Sequence, residues 1–190
     1  MKINESVFKI FPLLKTERLI LRCFEKSDIK FLFDIRSNEF IAKAMGLERH
    51  KTLADSEELL NKVLDSYATK TGIDWVICLK KDKTPIGYAG IWRITSEHFK
   101  GEIGYAQNTE YCGNGYMREA LAEIFDFGFD TLGLHRLEAT VAPHNKNSIK
   151  ILKKMNFKKE AYLREDYFSC GKFFDSIIFS LLVNDNRSYN

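Results

Sequence analysis

Several features are scarce in this 190-residue chain, and each scarcity excludes a class of protein. There are only three prolines, and no repeat, linker or low-complexity stretch, so disorder is not expected to divide it. The four cysteines, Cys23, Cys78, Cys112 and Cys170, lie far apart and form no C-x-x-C pair. That pattern reads as reduced thiols, not a disulfide frame. His50, His98, His135 and His144 have no spacing suited to a shared site, so no metal is expected. No window approaches the ~18 apolar residues of a membrane span. Glu5, Lys9 and Lys15 break any apolar stretch that a signal peptide would need. Charge of one sign is missing too: Lys and Arg interleave with Asp and Glu to a net +3, without the basic stripe of a nucleic-acid binder. The expectation is a cytoplasmic protein that binds neither membrane nor nucleic acid. Its densest basic spots, Lys153-Lys154 and Lys158-Lys159, read first as solvated surface and second as contacts for a phosphorylated small molecule.

What is present suits one packed domain over residues 1–190, with a core of about 16–183: 45% hydrophobic, 29% charged and 15 phenylalanines. A short apolar run predicts a strand over 19–24, and Ser27 is positioned as N-cap of a helix carrying Ile29, Leu32, Phe33 and Arg36. Thr52 and Asp55 have capping-box spacing ahead of a stripe of Leu59, Leu60, Val63, Leu64 and Tyr67. Strands at 75–79, 86–94 and 101–107, joined by short turns, suggest an antiparallel meander. Gly87 and Gly90 there permit bulges or close backbone approach. A helix follows over 116–132, then a strand at 136–142, a short helix at 147–155, and two terminal strands joined through Gly171. The order β-α-α-β-β-β-α-β-α-β-β describes one α/β domain.

The stretch YAQNTEYCGNGYMREAL is the most informative. A strand ends near Gln107, Gly113-Asn114-Gly115 makes a loop, and a helix opens at about Tyr116. Glycines let the backbone turn with positive φ and approach a ligand. The exposed amides and partial positive charge of a helix N-terminus then make an anion site that a pyrophosphate fits. A G-x-G alone also makes an ordinary strand-to-helix turn. Neither G-x-G-x-x-G after the first strand nor G-x-x-x-x-G-K-[ST] occurs.

With three further segments, that loop resembles the GNAT superfamily of acetyl-CoA-dependent N-acyltransferases, in particular its RimJ/RimL-like, ribosomal-protein N-acetyltransferase branch. The matching segments are TERLILR (16–22), GEIGY leading into EYCGNGYMREAL, LHRLEATVAPHNKNSIKILKKMNF (134–157) and LREDYFSCGKFFDSIIFSLL (163–182). The resemblance implies the GNAT fold, an α/β (α+β) domain whose mixed, mostly antiparallel sheet of about seven strands is flanked by about four helices. It implies acetyl-CoA as cosubstrate, with pyrophosphate donors at Cys112, Gly113, Asn114, Gly115, Tyr116 and Met117, and a pantetheine arm beside Ala106 and Gln107. It also places Asn145 on that arm and Ser148 near the thioester sulfur. Two departures stand out. Glu110 occupies the first position of the Q/R-x-x-G-x-G/A loop, and Leu152 falls where many members carry a Tyr general acid, which leaves Ser148 as the nearest substitute.

Direct transfer requires a neutral amine to attack the thioester carbon, a group to take its proton and donors for the developing oxyanion. Main-chain N–H groups where the strand near Ala106 splays are candidates for the last role. Glu102 is the first choice as base, with a surface carboxylate on an alternating strand as the competing reading. Asp166, Glu165 and Tyr167 in the terminal segment are candidates for the acceptor pocket, a packing role being the alternative for Tyr167. Cys112 reads as packing, since no His is placed to activate it, and His144 as a surface residue. An α-amine, with reference pKa ~7.7–8.0, is far more often neutral at pH 7 than a lysine at ~10.4. The expected acceptor is therefore a protein N-terminus. The alternatives are a small amine (polyamine, amino acid or aminoglycoside), or a degenerate module that only senses coenzyme A. A monomer or a homodimer is compatible with the sequence.

Overall fold

The computed structural model describes residues 2–187 and 189. Its centre is an eight-stranded sheet in the order β1-β2-β3-β4-β5-β6-β8-β7. The strands are β1 (Leu14–Lys15), β2 (Leu19–Arg22), β3 (Ile73–Leu79), β4 (Pro85–Thr95), β5 (Lys100–Gln107), β6 (Arg136–Val141), β7 (Lys158–Ser169) and β8 (Lys172–Leu182). Five α-helices accompany them among the described residues: α1 (Ile29–Arg36), α2 (Glu39–Met45), α3 (Leu53–Ala68), α4 (Tyr116–Asp126) and α5 (Lys146–Lys154). The expected meander is present, β3, β4 and β5 pairing antiparallel in sequence.

Strand alternation divides the core between the two faces of this sheet. Trp75 and Ile77 of β3 pack with Leu121, Ile124 and Phe125 of α4 and Leu152 of α5. Val76 and Cys78, pointing the other way, pack with Leu32 and Ile35 of α1 and Leu60 of α3. Every residue of β3 is buried, as a central strand covered on both faces demands.

The structure corrects several local expectations. Ser27 does not cap α1: it lies within a 3-10 turn (Lys26–Asp28), and its hydroxyl donates to Glu25 Oε2 at 3.3 Å. Asp28 closes that turn instead. Its Oδ2 accepts from the Glu25 N–H, and both its carboxylate oxygens accept from Arg22 at 2.7 Å, a bidentate pair strong enough to fix the turn around it. The helix expected over 116–132 is α-helical only to Asp126 and widens into a π-turn over Phe127–Thr131. Gly128 leaves room there, since a Cβ on it would come within 2.9 Å of Ile91 Cδ1. Helix α2 and the two-residue β1 lie in segments too short for periodicity to register. The Thr52–Asp55 capping box of α3 is formed as its spacing indicated, Thr52 N–H donating to Asp55 Oδ2 at 2.9 Å.

One irregularity governs everything that follows. β5 and β6 run parallel and pair only at Lys100–Arg136, Gly101–Leu137 and Glu102–Glu138. Beyond them β5 stays with β4 as far as Gln107, while β6 stays with β8 as far as Val141. A wedge therefore opens in the middle of the sheet.

Candidate functional site

The wedge has a different surface on each face. On the α4 side, Gly113 (φ +85°) and Gly115 (φ +79°) both adopt the left-handed conformation that favours glycine. Gly115 is the N-cap of α4 and offers no side chain, so the first-turn amides, Tyr116 and Met117 among them, have no side-chain cap. The Asn114 side chain holds the loop from within, donating to the carbonyls of Tyr111 and Cys112 at 3.1 and 3.3 Å. Arg18 braces it from outside, donating to Asn114 O at 3.0 Å, pairing with Glu119 at 2.6 Å and stacking 4.6 Å from the Tyr116 ring centroid. A hollow of about 430 Å3 adjoins this corner, lined by Glu17, Arg18, Leu79, Lys80, Lys81 and Tyr116. Lys80, Lys81 and the Glu119-paired Arg18 outnumber the one lining carboxylate, Glu17, and with first-turn amides that lack a side-chain cap they suit an anion.

The residues expected around this loop sit as follows. Glu110 is exposed, its N–H donating to Asn108 Oδ1. Met117 is buried, so only its main chain faces the loop. The Cys112 Sγ lies 3.8 Å from Asn108 O, and burial pushes its thiol pKa up, the opposite of an activated nucleophile. Ala106 packs its methyl into the α1–α3 core. Asn108 N–H donates to Ile86 O on β4, so strand alternation turns the main-chain groups of Tyr105 and Gln107 toward the wedge.

On the other face, α1, α2 and α3 roof a cavity of about 490 Å3 that reaches through the wedge to Asn145 and Ser148. Its floor is a row of cross-strand neighbours, Asp74, Gly90 and Gly104. A Cβ on Gly90 would stand 2.1 Å from Asp74 Oδ1, and one on Gly104 would stand 1.6 Å from the Trp92 ring. The two glycines therefore let a carboxyl and an indole lie flat across the sheet. Glu102 lines the cavity where β5 and β6 part, and its Oε2 accepts from Arg93 at 2.8 Å. Asp74 is buried with Oδ1 unpartnered, and burial pushes its carboxyl up to about 7.

At the wedge itself, the Tyr105 hydroxyl and Ser148 Oγ are 2.7 Å apart. Burial pushes the Tyr105 phenol up to about 12, so it holds its proton at neutral pH. Leu152, where a Tyr acid was looked for, is fully buried core. Asn145 caps α5 by accepting from Ser148 N–H at 3.1 Å and donates to Ala44 O at 3.0 Å; the neighbouring His144 Nε2 bonds Lys43 O at 2.8 Å. Both therefore tie the start of α5 to the end of α2. Tyr167 stacks on Phe174 and presses its hydroxyl against Gly46, the C-cap of α2, beside the cavity and not in its lining. Asp166 is exposed on the hairpin, also outside that lining.

Structure thus brings together Glu102, Asn145 and Ser148 and adds three residues that sequence reasoning missed: Asp74, Tyr105 and Arg36. Asp74 did leave a signal, a carboxylate inside the apolar run IDWVICL. Tyr105 left none, because only the fold carries α5 to it.

A family model described as acetyltransferase (GNAT) domain matches residues 18–158. The Bacillus subtilis (strain 168) protein named Uncharacterized N-acetyltransferase YoaA is 32% identical over 173 residues, 91% of this chain and 98% of that one. The Spermidine N(1)-acetyltransferase of Vibrio cholerae is 25% identical over 158 residues, 83% of this chain and 89% of that one. The solved ribosomal-protein-S5-alanine acetyltransferase of Vibrio fischeri superposes with a TM-score of 0.79 at 24% identity, covering 92% of this chain and 98% of that one, a likeness of fold.

Proposed function

The chain belongs to the GNAT acetyltransferase family, whose members are acyltransferases that use acetyl-CoA, and on that premise we propose that it acetylates the α-amino group of a peptide N-terminus. When bound, acetyl-CoA supplies an acetyl group activated as a thioester. The α4 amides at Gly115, Tyr116 and Met117, with Arg18, Lys80 and Lys81, hold its anionic end. The outward main-chain groups of Tyr105 and Gln107 orient the arm through the wedge. Tyr105 and Ser148 keep a proton beside the wedge, where a leaving thiolate takes one up. Glu102, at the cavity edge, accepts the proton of the attacking amine.

The observation that carries the acceptor assignment is the mixed chemistry of the roofed cavity. It holds two carboxylates, Asp74 and Glu102, the Arg36 guanidinium, and apolar walls from Phe24, Leu32 and Leu59. A peptide terminus offers an ammonium, an amide N–H, a carbonyl oxygen and a side chain to such a lining. A polyamine offers donors alone, and the cavity is not uniformly acidic. A polyamine remains the second reading, favoured by the pair of carboxylates and by the spermidine acetyltransferase among the relatives. An acetylation screen of free peptide N-termini beside spermidine, putrescine and amino acids, read by mass spectrometry, separates the two. Faster acetylation of spermidine than of every peptide would reverse the order.

A further inference from the structure

Two residues that line the cavity each keep a polar atom buried without a hydrogen-bond partner, and the two atoms have opposite character: Asp74 Oδ1, an acceptor, and Arg36 Nε, a donor. Leaving such groups unsatisfied forfeits the hydration they have in the unfolded chain, so their survival in a well-packed domain requires an explanation. They do not satisfy each other, since both atoms stay without a partner. Other charged groups around the cavity are committed elsewhere. Lys62 pairs with Glu58 at 2.6 Å on the exposed side of α3, and Glu102, the proton acceptor, meets the exposed Arg93 at 2.8 Å and neither Asp74 nor Arg36. The Arg36 guanidinium is held by the buried Tyr88 hydroxyl, which lies between it and Asp74 in the lining, and by Nη1, 3.6 Å from Met45 Sδ, and its Nε is left for another acceptor. Asp74 is held over Gly90, where any larger residue would displace it.

We propose that Asp74 and Arg36 form a second recognition point for the acceptor, at which an N–H of its first peptide unit donates to Asp74 and a carbonyl oxygen accepts from Arg36. The proposal rests on the acetyltransferase reading above and deepens it. Its geometry is consistent with an amine placed near Glu102. Asp74 lies two strands across the sheet and two residues along it from Glu102, roughly 12 Å between Cα positions by standard sheet dimensions. Two side chains and a short terminal segment span that interval. The acceptor class so defined is an amine followed by an amide. A diamine matches only the Asp74 half of it.

Binding tests this without turnover. The full chain, saturated with coenzyme A so that no acetyl group is available, is titrated calorimetrically with the tripeptide amide Ala-Ser-Ala and separately with putrescine. Asp74→Asn, which keeps the shape and removes the charge, is expected to weaken the tripeptide at least tenfold. Arg36→Gln is expected to weaken the tripeptide by a similar factor while leaving putrescine unchanged. If Arg36→Gln does not fold, Arg36→Lys, which keeps the charge and loses the Nε donor, gives the same reading. Asp74→Asn is also expected to melt at or above the wild-type temperature, because it removes a buried charge that has no partner. Tripeptide affinity within twofold of wild type in either variant, or no binding to wild type, overturns the proposal. So does a large fall in melting temperature for Asp74→Asn, which marks a structural role. Thiol release from acetyl-CoA with any amine in the same preparation would leave the acetyltransferase reading standing in each of those cases.

Discussion

The two sides of the wedge are built on different principles. The corner at α4 is open, made of main-chain amides released by two left-handed glycines, and surrounded by exposed cations. The cavity beneath α1–α3 is roofed by helices, made of side chains, and keeps a carboxyl oxygen and a guanidinium nitrogen without partners. On the proposed reading, the backbone site takes what every reaction of this type shares, the anionic handle of the donor. A side-chain site selects what varies, and here it holds polar groups that a ligand must complete. Stability is spent in the cavity and conserved at the corner.

That contrast is sharpest at Asp74. Burial raises its carboxyl from the unfolded range near ~4 to about 7, so the folded state holds a proton that the unfolded state has lost between those values. Stability therefore falls as pH rises through roughly 4 to 7, by on the order of 4 kcal/mol at most. Asp74→Asn is expected to flatten this dependence, with the gain largest above pH 7, in denaturant titrations at a series of pH values. An unchanged pH profile would show that the cavity stores no such cost.

Next in size is Tyr105→Phe, which removes the phenol from the wedge while keeping the ring. We expect kcat to fall by about a hundredfold, within the range of general-acid effects, with little change in the acetyl-CoA Kd. An equal loss in both would move Tyr105 from chemistry to cofactor binding. On the other side of the comparison, Gly115→Val forces a β-branched residue to φ +79°. The strain of about 2 kcal/mol is expected to weaken acetyl-CoA roughly thirtyfold, with the acceptor cavity unaffected. Calorimetry with acetyl-CoA checks it, and full affinity would mean the amides at α4 are not the grip. The smallest effect belongs to the link between the two sides. Asn145→Ala removes both the α5 cap and the bond to Ala44 O, and is expected to cost about 1 kcal/mol in thermal unfolding.

How much was legible in the sequence follows the same division. The glycine loop, its uncapped helix and the meander could be read because each depends on residues adjacent in the chain: Gly113 and Gly115 for the turn, alternation for β3 to β5. Glu110, a departure from the loop motif, is exposed in the turn over Thr109–Tyr111, a placement that the motif alone does not give. Asn145 and Ser148 were singled out through resemblance and both line the cavity, but their partners were not foreseen. Ala44 lies 101 residues from Asn145, and Tyr105 lies 43 from Ser148. Tyr167 and Asp166 were placed by resemblance at the acceptor pocket; the hairpin puts one against Gly46 and the other in solvent.

The chain alone determined its family, the order of its strands and helices apart from β1 and α2, and the glycine turn ahead of α4, because local backbone conformation and short-range periodicity are written in contiguous residues. Only the tertiary structure decided that β5 and β6 separate after Glu102, that a phenol stands beside Ser148, and that Asp74 and Arg36 share one cavity. Those facts depend on which distant segments pack together, and burial, the force that sets their charges and leaves their atoms unpaired, exists only once the sheet has formed.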